Sequence, residues 1–235
     1  MRNLFTTTAA FCLLAAGAAL GHGDVAPQPM ETGSLPDIGE EWLTENPYRA
    51  LGDEVWAEAV RIGASGYNQN CARCHGLEGV SGGLAPDLRY LEAEEYGDEW
   101  FMERFISGYT QNGITKMPAF GDLLGQKAAW AIRTYVETRP DDDSMQDASA
   151  LLAEIRDALG DLSKRADAGT ASAGEIADGV AGAEARLAEI AGEIETASGA
   201  PFADSAAWRA AVALRDEGGL KVAWEALNVG LSSAQ

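Results

Sequence analysis

Cys71-Ala72-Arg73-Cys74-His75 is the stretch of this 235-residue chain whose residue types and spacing point to chemistry. Two thiols three residues apart on one turn can form thioethers to the two vinyl groups of a haem. The imidazole of the next residue, His75, then reaches the iron from the same side. The pattern implies one covalently bound haem c, held by Cys71 and Cys74 and ligated by His75. Three other chemistries compete. A structural zinc site needs four ligands, and the motif supplies three; His22 is the only other histidine. A thioredoxin-like dithiol needs a strand before the motif, where a helix is expected. A disulfide across Cys-x-x-Cys closes a tight loop with little entropic gain and leaves His75 unexplained.

The second axial position calls for a methionine, because histidine is nearly exhausted and a thioether raises the reduction potential. Met117 stands in Lys116-Met117-Pro118-Ala119-Phe120, read as an irregular loop between two helices that presents its sulfur across the haem plane. Met102 falls on a predicted helix and suits the core, Met30 lies in a Pro-rich arm, and Met145 follows the third helix. The haem and metal site is therefore read as Cys71, Cys74, His75 and Met117, with His22 or an open iron as the alternatives.

The elements that must position these groups are helical. Trp56, Val60, Gly63 and Tyr67 share one face of a helix predicted from Gly52 to Asn70. Phe101, Phe105 and Tyr109 stack along a second, from Asp98 to Tyr109. A third, from Gln126 to Arg139, turns Ala128, Ile132, Tyr135 and Val136 inward and is stopped by Pro140. Beyond Pro140 the chain becomes Ala-rich. Apolar residues step 4-3-4-3-4 from Ala148 to Ala166 and again from Ile176 to Ile194, which predicts an antiparallel helical hairpin. Ser144-x-x-Asp147 and Ser172-x-x-Glu175 read as capping boxes. A last helical stretch, Asp204 to Leu231, is interrupted at Gly218-Gly219. No strand pattern stands out, so the chain reads as all-α.

Residues 1–21 read as an export signal: Arg2, an apolar run from Ala9 to Leu20, and small residues at its end. The run is short for an uncleaved anchor. No other segment is a transmembrane candidate, so the mature chain is expected outside the cytoplasm, in the periplasm, with Cys71 and Cys74 as its cysteines. The expected division is a signal at 1–21, a haem domain with an extended N-terminal arm at 22–140, and an Ala-rich helical extension at 141–235.

A formal charge of −20 excludes nucleic acid and polybasic membrane binding. The haem-bearing spans are less acidic. Arg61 to Tyr90 carries three arginines against two acids, and Phe101 to Pro140 carries five basic residues against three acids. That count predicts a near-neutral or weakly basic rim on an acidic body. Such a rim suits orientation of a partner, while the acids equally serve solubility.

The motifs resemble those of the class I bacterial cytochromes c. Gly63 and Tyr67 before Cys71–Gly76, the Met117-Pro118 loop, and the closing helix with Trp130 and Tyr135 are similar to that family. His22-Gly23-Asp24-Val25, Gly39-Glu40-Glu41-Trp42, Tyr67–Asn70, Ser81–Leu88 and Trp130–Arg133 look like the c-550/c-553 cytochromes of PQQ-dependent alcohol and methanol oxidation. The long tail looks like the c-553I form of methylotrophic bacteria. The resemblance implies a class I cytochrome c fold followed by the helical hairpin. It also implies electron transport without substrate chemistry: a quinoprotein dehydrogenase as donor, and a downstream cytochrome or oxidase as acceptor. A general respiratory shuttle and a five-coordinate haem enzyme or sensor, such as a peroxidase, are the alternatives. The tail is read as a docking, oligomerising or covering module, or as a self-contained hairpin.

Overall fold

The computed structural model describes residues 27–215 and 219–233. The predicted export signal and His22 lie outside the described residues. Among those described, no helix is long and apolar enough to cross a membrane.

Helix α1 (Asp53–Asn70) buries Ala59, Val60, Ile62, Gly63, Gly66 and Tyr67 along one face, as the apolar spacing predicts. That face packs on α4 (Gly121–Glu137), whose second half is buried almost all round. Gly125, at φ 74°, breaks α4 after its first turn, so the continuous part begins at Gln126. The short α2 (Ala72–His75) follows α1 directly and carries the cysteine motif.

Helix α3 (Glu95–Ser107) buries Phe101, Met102 and Phe105, and packs on α4. It ends two residues earlier than the Phe101/Phe105/Tyr109 spacing suggests, because Gly108 takes φ 68° and turns the chain out of the helix. The expected irregular loop is a β-hairpin instead. Strand β1 (Tyr109–Gln111) pairs antiparallel with β2 (Ile114–Met117). Asn112 and Gly113 between them both have positive φ, the turn that suits the twist of a two-residue hairpin. The fold is all-α with this one small sheet among the described residues.

The Ala-rich tail is more than a hairpin. Helix α5 (Asp142–Asp167) packs on α6 (Ala173–Glu193) and on α8 (Gly219–Ser233), while α7 (Ala206–Arg215) packs on both α6 and α8. The two predicted seams are half of a four-helix bundle. Its core unites Leu152, Ile155 and Leu159 with Leu187, Ile190, Leu214 and Leu227. Ser172 and Glu175 form the predicted capping box of α6. At α5 the cap is Asp141 rather than Ser144, its carboxylate accepting from the amides of Asp143 and Ser144. A carboxylate three residues upstream reaches the free amides of the first turn, which leaves Ser144 inside the helix.

Residues 194–205 lead from α6 back across the end of α4. Thr196 bridges Pro140, the Ala197 amide donates to the Arg139 carbonyl at 3.1 Å, and the Asp204 amide donates to the Thr138 carbonyl at 2.9 Å. The bundle is thus hydrogen-bonded backbone to backbone onto the first core. Trp56 of α1 adds edge-on ring contacts with Phe202 and Trp208, at 6.3 and 5.5 Å between centroids.

Candidate haem site

The end of α1 determines where the cysteine motif sits. Tyr67, fully buried, stacks obliquely on Tyr135 of α4 at 5.3 Å. Its hydroxyl donates to the carbonyl of Gly76 at 2.8 Å, so one side chain ties the helix before the motif to the turn after it. Gly76 has φ 82°, and a Cβ there would lie 1.8 Å from the Val80 carbonyl oxygen; only glycine closes this turn.

Cys71 and Cys74 are free thiols, Cys71 half-buried against the core and Cys74 exposed. Burial, with Cys74 adding to it, pushes the Cys71 thiol up to about 12. A redox dithiol needs the opposite shift, toward a nucleophilic thiolate. Among the described residues no group of three or more His, Cys, Asp or Glu side chains converges on a point that would hold a metal ion.

His75 is buried, and its Nδ1 lies 2.9 Å from the carbonyl oxygen of Pro86. A carbonyl only accepts, so Nδ1 carries the proton and Nε2 keeps the lone pair of a neutral imidazole. Burial depresses the His75 pKa; the Pro86 carbonyl and Asp87 oppose this. The ring is therefore oriented and held neutral, the state an iron ligand requires. Nothing in the cysteine motif itself signals Pro86 as the holder; it lies in the Gly/Pro-rich loop that follows.

Met117 is the last residue of β2, opposite Tyr109, and packs half-buried on the same core as Cys71 and Ala72. Its backbone is seated on Gly108, where a Cβ would fall 2.5 Å from the Met117 carbonyl oxygen. Met102 is buried in α3 and Met145 belongs to the bundle core. Met30 reaches Gly66, where a Cβ would meet its methyl carbon at 2.1 Å. Each of those three therefore has a packing role.

Two buried donors among the described residues lack a partner: the Tyr48 hydroxyl and the Trp130 indole N–H. Both belong to the core that holds Cys71 and Met117. Orphaned donors in a core are costly, and the carboxylate of a haem propionate is the kind of acceptor that would satisfy them. With two thiols, one oriented neutral imidazole and one thioether, the residues present fit a haem.

Three of the arginines counted toward the predicted rim are internal. Arg89, Arg133 and Arg139 are buried, not displayed. Arg89 pairs with Asp87 and Asp142, Arg133 with Asp98 and Glu137, and Arg139 with Glu78 and Asp204. Three acids of the same spans, Asp87, Glu78 and Glu137, are taken up with them, so the net charge read along those spans is unchanged.

A fold of this kind around this motif defines an electron-transfer haem protein. The family model described as cytochrome c oxidase, cbb3-type, subunit III matches residues 58–136. Cytochrome c550 of Pseudomonas aeruginosa is 54% identical over 123 residues, which span 51% of this chain and 82% of that protein. Two quinohemoprotein alcohol dehydrogenases of Pseudomonas putida, ADH-IIG and ADH IIB, are 33% and 35% identical over 84 and 88 residues, 11% and 12% of their own lengths. No solved structure matches. The chain belongs to the class I c-type cytochromes, electron carriers that bind haem c covalently.

Proposed function

We propose that this cytochrome is a periplasmic monohaem shuttle that accepts electrons from a PQQ-dependent alcohol or methanol dehydrogenase and passes them to another cytochrome or an oxidase. In this reading Cys71 and Cys74 would hold the ring, and His75 and Met117 would ligate its iron. The domain division at residue 140 belongs to the same reading: 22–140 carries the haem and 141–235 extends it. The carrying observation is the His75–Pro86 hydrogen bond, which prepares one neutral imidazole nitrogen beside two unbridged thiols.

Bound haem supplies one-electron exchange at the iron. The chain's own residues do the rest. Pro86 fixes the imidazole; Tyr67 and Gly76 fix the turn beside it; Gly108 seats Met117. With His75 and Met117 both holding the iron, no position would be left for a substrate, and the protein would act as a carrier. Leu77, Leu84, Ile114 and Leu123 are exposed apolar side chains close in sequence to the motif and to Met117, a composition suited to a small, short-lived redox contact.

The likeness to segments of two quinohemoprotein alcohol dehydrogenases supports the choice of donor. The test has two parts. Absorption spectra of the exported protein should show covalent haem with an iron–sulfur charge-transfer band in the oxidised form. Stopped-flow mixing should then show reduction by a purified quinoprotein dehydrogenase faster than by a quinol-oxidising complex. The reverse order replaces this donor with the respiratory one, and a colourless protein ends the reading.

A further inference from the structure

The C-terminal bundle touches the cytochrome core through charge as well as backbone. Two of its carboxylates each reach, through a buried arginine, toward a support of His75. The first path starts at Asp204, which leads into α7 and is only 3% exposed. Asp204 accepts from Arg139 Nη2, while Arg139 Nη1 donates to Glu78 at 2.5 Å. Glu78 lies three residues after His75, in a turn where it holds φ 57°. The Arg139 guanidinium also lies over the Tyr135 ring at 4.0 Å, and Tyr135 stacks on the Tyr67 that holds Gly76.

The second path runs from Asp142, at the start of α5, to Arg89 at 2.5 Å and on to Asp87 at 3.0 Å. Asp87 follows Pro86, whose carbonyl holds His75. Arg209 of α7 adds to the first path, donating to Asp204 at 2.7 Å and standing 3.6 Å from Glu78.

We infer that Asp204 is a positioning residue for the proximal haem ligand: it holds Arg139 on Glu78 and so keeps the turn Gly76–Val80 closed beside His75. The bundle is then a brace on the haem's proximal side. The inference rests on the haem reading above. Its physical basis is that Arg139 is fully buried and needs both carboxylates. Removing one leaves a buried cation with half its partners, and the turn opens to restore solvation. Water admitted beside the ring favours the more highly charged oxidised haem and lowers the reduction potential.

The test uses the full haem-loaded chain with Asp204→Asn, Asp204→Glu and Arg209→Gln. Hydrogen exchange is followed at the amides of Gly76, Val80 and Leu88, which are hydrogen-bonded within the proximal loop. In Asp204→Asn these should exchange roughly tenfold faster, the size expected for one charge-assisted hydrogen bond, while amides of α3 keep their rates. Asp204→Glu should restore most of the protection. The potential supplies the discriminating sign. Loss of a carboxylate alone raises it and loss of an arginine alone lowers it, whereas an opened turn lowers it in both Asp204→Asn and Arg209→Gln.

A potential that rises in Asp204→Asn, or exchange unchanged or raised equally throughout, overturns the inference. Should Asp204→Asn fail to fold, Arg209→Gln decides alone, by whether the same three amides lose protection ahead of those of α3. A wild type without haem defeats the haem reading; a haem-loaded wild type indifferent to Asp204 defeats only this one.

Discussion

Gly63 lies so close to Ala131 that a Cβ on it would fall 1.9 Å from the Ala131 carbonyl oxygen and 2.9 Å from the Tyr135 Cβ. This is where α1 and α4 pack, and the Tyr67–Tyr135 pair joins the same two helices. Gly63→Ala must push the helices apart, and with them the Tyr67–Tyr135 pair that anchors Gly76. We expect a loss of about 3 kcal/mol, the upper range for overpacking against backbone. Chemical denaturation of the haem-loaded protein measures it. A melting curve like wild type would mean that the crossing is looser than its geometry.

Much of this crossing was legible in the sequence and some of it was not. Val60, Gly63 and Tyr67 fall at helical spacing, so the buried face of α1 follows from period alone. Trp56 shares that face, yet its ring partners Phe202 and Trp208 come from residues about 150 positions away, which no local period reveals. The β-hairpin had a local signal, Asn112-Gly113 between Thr110 and Ile114-Thr115, masked by the aromatic spacing that carried the predicted helix through to Tyr109. The buried arginines were illegible for a different reason. Arg133 finds Asp98, and Arg139 finds Asp204, across tens of residues, and a lone charged residue in a sequence reads as surface. For the candidate site, the motif names Cys71, Cys74 and His75, but the group that orients His75 is a backbone carbonyl, and any residue type supplies one.

Met117→Leu keeps the side-chain volume and removes the sulfur. If Met117 is the second axial ligand, the variant should lose the iron–sulfur charge-transfer band, bind CO rapidly when reduced, and have a lower reduction potential. Its stability should change by less than about 1.5 kcal/mol, since a Met-to-Leu exchange conserves volume. Retention of the band would transfer the role to another residue.

Asp141 caps α5, the helix that opens the bundle, by accepting from the amides of Asp143 and Ser144. Asp141→Ala should cost about 1 kcal/mol. The loss should show as faster amide exchange in the first turn of α5, with the far end near Lys164 unchanged. Ser144→Ala should do much less, because Ser144 is inside the helix rather than at its cap.

Glu58 accepts two hydrogen bonds from Arg61 and one from Ser34 of the N-terminal arm. These bonds, the Arg61 ones first, hold its carboxyl at about 2, below the ordinary 4.5. A carboxylate depressed by folding stabilises the native state above its unfolded pKa and loses that contribution as pH falls toward the folded value. The stability difference between wild type and Glu58→Gln should therefore be full above pH 4.5, shrink between 4.5 and 2, and vanish below. Denaturation midpoints measured across that window test it; a difference independent of pH would mean that the Arg61 and Ser34 bonds do not act through the charge.

Arg133 is fully buried between Asp98 and Glu137, and also donates to the carbonyls of Leu91 and Glu92. Asp98 has a second cation in Arg49, which binds it through two hydrogen bonds of 2.7 Å and reaches Glu137 as well. Two arginines and two carboxylates thus balance inside the junction of the N-terminal arm, α3 and α4. Arg133→Met fills the space but leaves one carboxylate without compensation and two carbonyls without donors. Breaking a buried pair in this way costs about 3–5 kcal/mol. Arg133→Met with Asp98→Asn restores the charge balance and should recover part of the loss, because the penalty comes from the stranded charge and not from the missing volume. If the double variant is no more stable than Arg133→Met, the cost lies in the carbonyls of Leu91 and Glu92 instead, and the role of Arg133 is to hold the loop that enters α3.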